Sequence, residues 1–138
     1  MAVFTSRRET FRLILDEDKA LPADKQSVFL CRPLTAHQLD NISGMANVAL
    51  DGTSVQIPTG NKRLALLKAS LVGWSNYVDA DGNEIPFERE KGRVLVYGVE
   101  VDRPPTDATL EWLNLDRFRE LAEKIQEANR LSVDDQGN

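Results

Sequence analysis

The carboxylates and the amide that follow residue 78 are the side chains in this 138-residue sequence most similar to a metal-binding set. The four candidate ligands are Asp79, Asp81, Asn83 and Glu90. Their spacing matches positions 1, 3, 5 and 12 of an EF-hand-like calcium loop, which surrounds the cation with oxygen ligands. Such a loop needs glycine at position 6, where this chain has Glu84, and Pro86 then removes a backbone N–H. We therefore reject the calcium site and expect no metal.

The same run, DADGN at 79–83, is also typical of a tight turn. An aspartate side chain accepts hydrogen bonds from backbone N–H groups two residues on, and Gly82 can adopt the left-handed conformation that such turns require. We favour the turn, and we expect it to join a helix to the segment Ile85-Pro86-Phe87.

The single histidine and the single cysteine limit the catalytic chemistry available to this chain. His37 falls in the first turn of a predicted helix, where a solvated side chain is expected, and one histidine cannot build a zinc cluster. Cys31 alternates with Phe29 in a predicted strand, which favours a small buried side chain over a nucleophile. A Cys31–His37 pair stays open as an alternative, although no third group orients it. We expect no enzyme activity and no cofactor, with a metal-dependent or thiol enzyme as the competing hypothesis.

The composition is that of one globular domain. The chain is long enough to bury a core without disulfides, and 41% of its residues are hydrophobic and 28% charged. A net charge of −5 and a pI near 4.9 disfavour nucleic acid as a partner. No apolar run has the length of a membrane span and the first residues do not resemble a signal peptide, so we expect no membrane partner and a cytoplasmic location.

Hydrophobic periodicity predicts an α+β domain in which a short, mostly antiparallel sheet packs against three or four helices. Strands are predicted at 11–15, 27–32 and 93–101, with a loop or short hairpin at 50–60. A first helix is predicted to begin at Thr35, with Gln38 at the capping-box position. Its apolar residues at helical spacing are Leu39, Ile42, Met45, Ala46 and Ala49.

Three further helices are predicted in the second half of the chain. Asn61 is expected to cap one that ends near Gly73 and has a continuous apolar face. That face comprises Leu64, Leu67, Leu71 and Trp74. Thr106 or Asp107 is expected to cap a helix over 108–113, and a longer helix follows over 115–131. Its predicted buried stripe comprises Leu115, Phe118, Leu121, Ala122, Ile125 and Ala128. We expect residues 1–131 to form the domain and 132–138 to form an acidic, polar tail.

The large aromatic residues allow two interpretations. The first places Trp74, Tyr77, Phe87 and Trp112 in the core, where the second helix, the turn and the last helices meet. The second leaves Trp74 or Trp112 partly exposed as the anchor for a partner protein. Both tryptophans are therefore candidate partner-binding residues.

Four segments carry a resemblance to a known group of proteins. They are FRLILDEDK (11–19), CRPLTAHQL (31–39), LVGWSNYVDADGNEIPF (71–87) and EANRLS (127–132), and the third is the most specific. Their order resembles small proteins of tailed bacteriophages that serve as tail assembly chaperones or minor virion proteins. The resemblance implies a non-catalytic protein that binds the tape-measure or tail-tube protein in the host cytoplasm during tail assembly. The alternative that it implies is a minor virion component at the neck, the head–tail joint or the capsid, with a homo-oligomer also open.

Overall fold

The computed structural model describes the backbone of residues 10–43, 47–50, 53–56, 59–96 and 98–137. The strands are β1 (Phe11–Leu13), β2 (Val28–Cys31), β3 (Asn47–Leu50), β4 (Thr53–Gln56), β5 (Leu71–Ser75), β6 (Arg93–Val96) and β7 (Val99–Asp102). The helices are α1 (Ala36–Ser43), α2 (Thr59–Ser70), α3 (Asp107–Leu110) and α4 (Leu115–Gly137), and short 3-10 turns occupy Asp16–Asp18 and Ala23–Lys25. The predicted α+β class is confirmed. No helix in the described part of the chain is both long enough and apolar enough to span a membrane.

The main sheet has three antiparallel strands in the order β1-β2-β5. The central strand β2 buries Phe29 and Cys31 completely, because alternate side chains of a strand share one face. The predicted strands at 11–15 and 27–32 are therefore confirmed as sheet neighbours, with Leu13 opposite Phe29.

The predicted helix through Gly73 is wrong in its last turn. Helix α2 ends at Ser70, and the chain continues without a connecting residue into β5, which pairs with β2. Leu71 and Trp74 thus lie on a strand, where pairing along β2 satisfies their backbone groups more extensively than one more helical turn would. The proposed cap is also wrong, since α2 begins at Thr59 and Asn61 lies inside it.

Helix α1 begins as predicted and ends earlier. The Gln38 N–H donates to Thr35 Oγ1 and the Thr35 N–H donates to Gln38 Oε1, both at 3.0 Å, so the capping box is confirmed. The helix ends at Ser43, and Ala49 lies on β3, which pairs with β4 across a two-residue connection. A loop or short hairpin was predicted at 50–60; the structure places a hairpin of β3 and β4 at 47–56, and Thr59 and Gly60 belong to α2. Met45 and Ala46 lie outside the described residues.

The predicted strand over 93–101 is a hairpin of two strands. Val96 pairs with Val99, and Gly98 between them has φ +84°, a conformation that few residues other than glycine adopt. Buried and exposed side chains alternate along this segment as predicted, with Val96, Val99 and Val101 buried. The chain reverses direction at Gly98, however, so the segment is not one strand. Leu95, on the outer face of β6, is 72% exposed.

The last helix covers the core. Helix α4 packs against α2 and buries Leu121 and Ile125 completely. It continues to Gly137, past the predicted end at residue 131. Leu115 does not belong to the buried stripe, since its position at the first residue of the helix leaves it 59% exposed. The buried Asn129 accepts a hydrogen bond from the Leu34 N–H at 2.7 Å and so ties α4 to the segment before α1.

Arg32, the residue after β2, bonds to the point where α2 ends and β5 begins. We call the following contacts of Arg32 the Arg32 joint. The Arg32 N–H donates to the Ser70 carbonyl and the Ser70 hydroxyl donates to the Arg32 carbonyl, both at 2.7 Å. The Arg32 guanidinium donates to the carbonyl oxygens of Ala69 at 2.9 Å and of Asp102 at 2.7 Å. One residue therefore joins β2, the end of α2 and the end of β7.

Ser70→Ala tests the joint. Removal of the hydroxyl takes away the donor to the Arg32 carbonyl at a position with no solvent exposure, so we expect a loss of about 1–3 kcal/mol in the free energy of unfolding. Urea denaturation followed by far-UV circular dichroism measures it. Ser75→Ala, an exposed serine at the end of β5, is the matched control and should stay within about 0.5 kcal/mol of wild type. Equal effects of the two substitutions would contradict the role assigned to Ser70.

Candidate protein-binding site

The aromatic residues of the 71–87 segment pack on one another beside the main sheet. The Trp74 ring meets Phe29, Tyr77 and Phe87 edge-on, with ring centroids 6.1, 4.9 and 4.8 Å apart. The Trp74 indole N–H donates to the Ile85 carbonyl at 2.8 Å. Trp74 is thus packed against the core with its polar atom satisfied inside the chain, which leaves little of it to anchor a partner.

Tyr77 connects this aromatic cluster to the corner between α3 and α4. Its side chain is 4% exposed, and its hydroxyl donates to the Trp112 carbonyl at 2.7 Å. The Arg117 guanidinium donates to the Tyr77 hydroxyl at 3.2 Å and to Glu17 at 2.7 Å. The bond to Glu17 raises the pKa of Arg117 above its ordinary value, with Tyr77 adding to the effect, so the guanidinium stays charged. Tyr77 therefore bonds to the backbone of the corner at Trp112, and Arg117 of α4 bonds to Tyr77.

Trp112 is displayed at that corner. Its side chain is 50% exposed, whereas the next residue, Leu113, is buried. Asn114 caps α4 by accepting the Arg117 N–H at 2.8 Å, and Leu115 follows with 59% exposure. Two large apolar side chains, three positions apart, thus stand on a hydrogen-bonded corner. We call Trp112 and Leu115 the Trp112 corner.

A cleft of about 400 Å³ also includes Tyr77 and Arg117 in its walls. Val78, 45% exposed, contributes apolar surface to it, and three carboxylates contribute charge. Those carboxylates are Glu17, Asp18 and Asp24. Glu17 is paired with Arg117, and Asp18 accepts the Ser27 N–H at 2.8 Å. The arrangement offers polar contacts next to an apolar corner, which suits binding of another chain.

The predicted turn at 79–83 is confirmed, but the element before it is strand β5 and not the predicted helix. Asp79 Oδ1 accepts the N–H groups of Asp81 and Asn83, both at 2.9 Å, and Gly82 has φ +83°. The structure brings three of the four rejected calcium ligands into this turn, whereas the Glu90 N–H pairs with the Pro104 carbonyl at 2.7 Å. Within the described residues, no three His, Cys, Asp or Glu side chains are grouped to hold a metal ion.

Cys31 and His37 occupy different environments. Cys31 is fully buried, and that burial raises the pKa of its thiol to about 12 despite a hydrogen bond with Ser70. His37 is exposed, and its ring lies 3.3 Å from the Asn41 amide. Because a buried thiol cannot meet a substrate, the geometry gives the Cys31–His37 alternative no support.

Trp112 was a candidate from the sequence, whereas the residues that hold it were not. Glu17 and Arg117 are 100 residues apart, and neither belongs to a motif. Tyr77 was assigned to the core, which is correct for its ring but omits the hydrogen bond of its hydroxyl. No local signal could have linked these three residues.

Asp79→Ala and Asp81→Ala separate a turn from a calcium site. Asp79→Ala removes the acceptor of two backbone N–H groups and should cost about 1 kcal/mol of unfolding free energy, whereas Asp81→Ala should stay within about 0.5 kcal/mol. The melting temperature of the wild type should not change with calcium at about 1 mM, above the Kd of sensor EF-hands. A calcium-dependent rise that either substitution removes would restore the metal site.

Cys31 should react slowly with a thiol reagent. Because the thiolate is the reactive form and burial raises the thiol pKa, we expect modification by Ellman's reagent at pH 8 to be at least about 100-fold slower in the native protein than in urea. Absorbance at 412 nm follows the reaction. Rapid labelling of the native protein would show an accessible, activated thiol and revive the thiol-enzyme hypothesis.

Comparisons of this chain with protein-family models, with curated proteins and with solved structures gave no match. Support for a function comes from the residues and their geometry, and from the segment resemblance described above.

Proposed function

We propose that this protein is a non-catalytic binding domain that acts in bacteriophage tail assembly as a chaperone for the tape-measure or tail-tube protein. The observation that carries the binding role is Trp112, half exposed on a corner that Tyr77 and Asn114 hold in place. Tryptophan is enriched among the residues that dominate binding energy at protein interfaces. A preorganised corner also loses less conformational entropy on binding than a flexible loop would.

The surroundings of the corner suit a protein partner. An apolar anchor next to charged groups has the anatomy of an interface, with a centre that excludes water and a rim that stays hydrated. Leu115 extends the apolar part, and the carboxylates of the neighbouring cleft supply charge. The net charge of −5 keeps such a domain soluble while an apolar segment of a partner is bound.

The phage assignment rests on the segment resemblance. Its most specific part, 71–87, supplies β5, the turn at 79–83 and both Trp74 and Tyr77. That segment therefore contains the aromatic support of the Trp112 corner. Tyr77 of that segment donates to the Trp112 carbonyl, whereas Trp112 and Leu115 themselves lie outside the four resembling segments.

A minor virion protein at the neck, head–tail joint or capsid is the second candidate. Leu95, 72% exposed on β6, favours it, because this residue belongs to a hairpin distinct from the α3–α4 corner. A subunit that stays in a virion contacts neighbours through more than one surface. Self-association into a homo-oligomer would use such surfaces in the same way.

Trp112→Ala and Leu115→Ala test the binding role. The chain is co-expressed with the tape-measure or the tail-tube protein of the same phage, and the amount of partner that co-purifies is measured. We expect each substitution to reduce it at least about tenfold, as truncation at an interface hot spot does, with the melting temperature unchanged within a few degrees. Leu95→Ala is the matched control, an equally apolar exposed residue elsewhere on the surface. Equal loss with Leu95→Ala, or none with Trp112→Ala, would contradict the assignment.

Quantitative mass spectrometry of purified virions separates the two candidates. A chaperone leaves the tail before maturation, so we expect the protein to be absent from virions and present with its partner in the lysate. Stoichiometric copies in virions would overturn the chaperone proposal in favour of the virion subunit.

A further inference from the structure

Two arginine side chains converge on one backbone oxygen at the end of β7. Arg32 Nη2 and Arg89 Nη2 both donate to the Asp102 carbonyl, at 2.7 and 3.4 Å. Arg89 Nε also donates to the Arg103 carbonyl at 2.7 Å. The two guanidinium groups are therefore neighbours; we call them the arginine pair.

The arginine pair lacks a partner carboxylate among the described side chains. The ion pairs found there leave out Arg32, Arg89 and Arg103. Arg93, close by on β6, is paired with Glu100 at 3.2 Å. Burial lowers the pKa of Arg32, and the charge of Arg89 lowers it further, with only Asp102 acting in the other direction. Arg32, Arg89 and Arg103 thus lie close together, with Asp102 as the neighbouring negative charge.

The hydrogen bonds to backbone carbonyls leave some N–H donors of Arg32 and Arg89 unused. A guanidinium has five N–H donors, and each member of the pair uses two of its nitrogens in the bonds described above. Arg32 also lines an open cleft of about 280 Å³. The other residues of that cleft are Gln38, Arg93, Glu100 and Asp102. Donors of Arg32, Arg93 and the Gln38 amide therefore surround one small space.

We propose that this cleft binds a carboxylate carried by an acidic segment of a partner protein. Arg32 is the contact residue, Arg93 exchanges Glu100 for the incoming carboxylate, and Arg89 supplies charge from behind Arg32. A planar guanidinium matches a carboxylate with two parallel hydrogen bonds. Glu100 and Asp102 line the same cleft and repel a second charge on the bound group, which disfavours a phosphate dianion. A peptide carries its charges on separate side chains, so one carboxylate enters the cleft and the others stay outside it. The site is separate from the Trp112 corner, and its assignment does not depend on the binding role proposed for that corner.

Binding is tested by titrating the ¹⁵N-labelled protein at low salt with an acetylated tetraglutamate peptide and observing the arginine Nε–H resonances. We expect saturable shifts of the Arg32 and Arg89 resonances that disappear in about 0.5 M salt, because screening weakens charge pairing. A tetraglutamine peptide should cause none. Acetate and inorganic phosphate are the competing sources of an oxyanion. Acetate should bind more weakly than the peptide, and tighter binding of phosphate would overturn the carboxylate assignment, as would unmoved arginine resonances.

Arg89→Gln and Arg93→Gln test the contribution of charge in the titration, since Arg32 also holds the fold. Each should weaken peptide binding at least about fivefold, while Arg119→Gln, an exposed arginine on α4, should leave it unchanged. Equal weakening by all three substitutions would show a general effect of net charge and refute a specific site. If either variant fails to fold, the wild-type resonances still decide the question.

Discussion

The fold depends on how the end of α2 is completed. A helix leaves its last carbonyl groups without intrahelical donors, and α2 has no connecting loop in which they could meet water. Arg32 supplies the missing donors, its backbone N–H to Ser70 and its side chain to Ala69. Because these bonds are made by the residue that follows β2, they also fix β5 beside β2. The same side chain reaches Asp102, so the β6–β7 hairpin is attached at the same point.

The position of β5 then decides where the aromatic residues lie. Trp74 faces Phe29 across the β2–β5 pair, and Tyr77 follows two residues after the strand ends. The Tyr77 hydroxyl reaches the α3–α4 corner, where it donates to the Trp112 carbonyl. The end of α2 at Ser70 thus precedes the strand that leads to Tyr77, whose hydroxyl bonds to the Trp112 carbonyl. The direction of β5 thus sets both the packing of Trp74 on Phe29 and the position of Tyr77 at the α3–α4 corner.

Features governed by neighbouring residues were predictable from the sequence. The capping box of Thr35 and Gln38, the Asp79 turn and the strands around Leu13 and Phe29 are all encoded locally. The prediction was wrong where tertiary pairing selects a strand over a helix, as at Leu71 and Ala49. It was also wrong where Gly98 reverses the chain within one predicted strand. For the candidate site, an exposed Trp112 was one of two interpretations, whereas Arg117 and the arginine pair were not predicted. Their contacts join residues far apart in sequence, and no periodicity records such distances.

The long-range hydrogen bonds of Glu17 and Asn129 also limit how early in synthesis the fold can be completed. Arg117 must be present before Glu17 has its partner, and Asn129 before the Leu34 N–H is satisfied. A ribosome synthesises these residues after the segments that they contact, so those segments wait with an incomplete core. Contacts of such sequence separation close slowly, because loop entropy is lost before they form. A nascent chain therefore holds Trp112 in its final setting only after Arg117 has been synthesised and bonded to Tyr77.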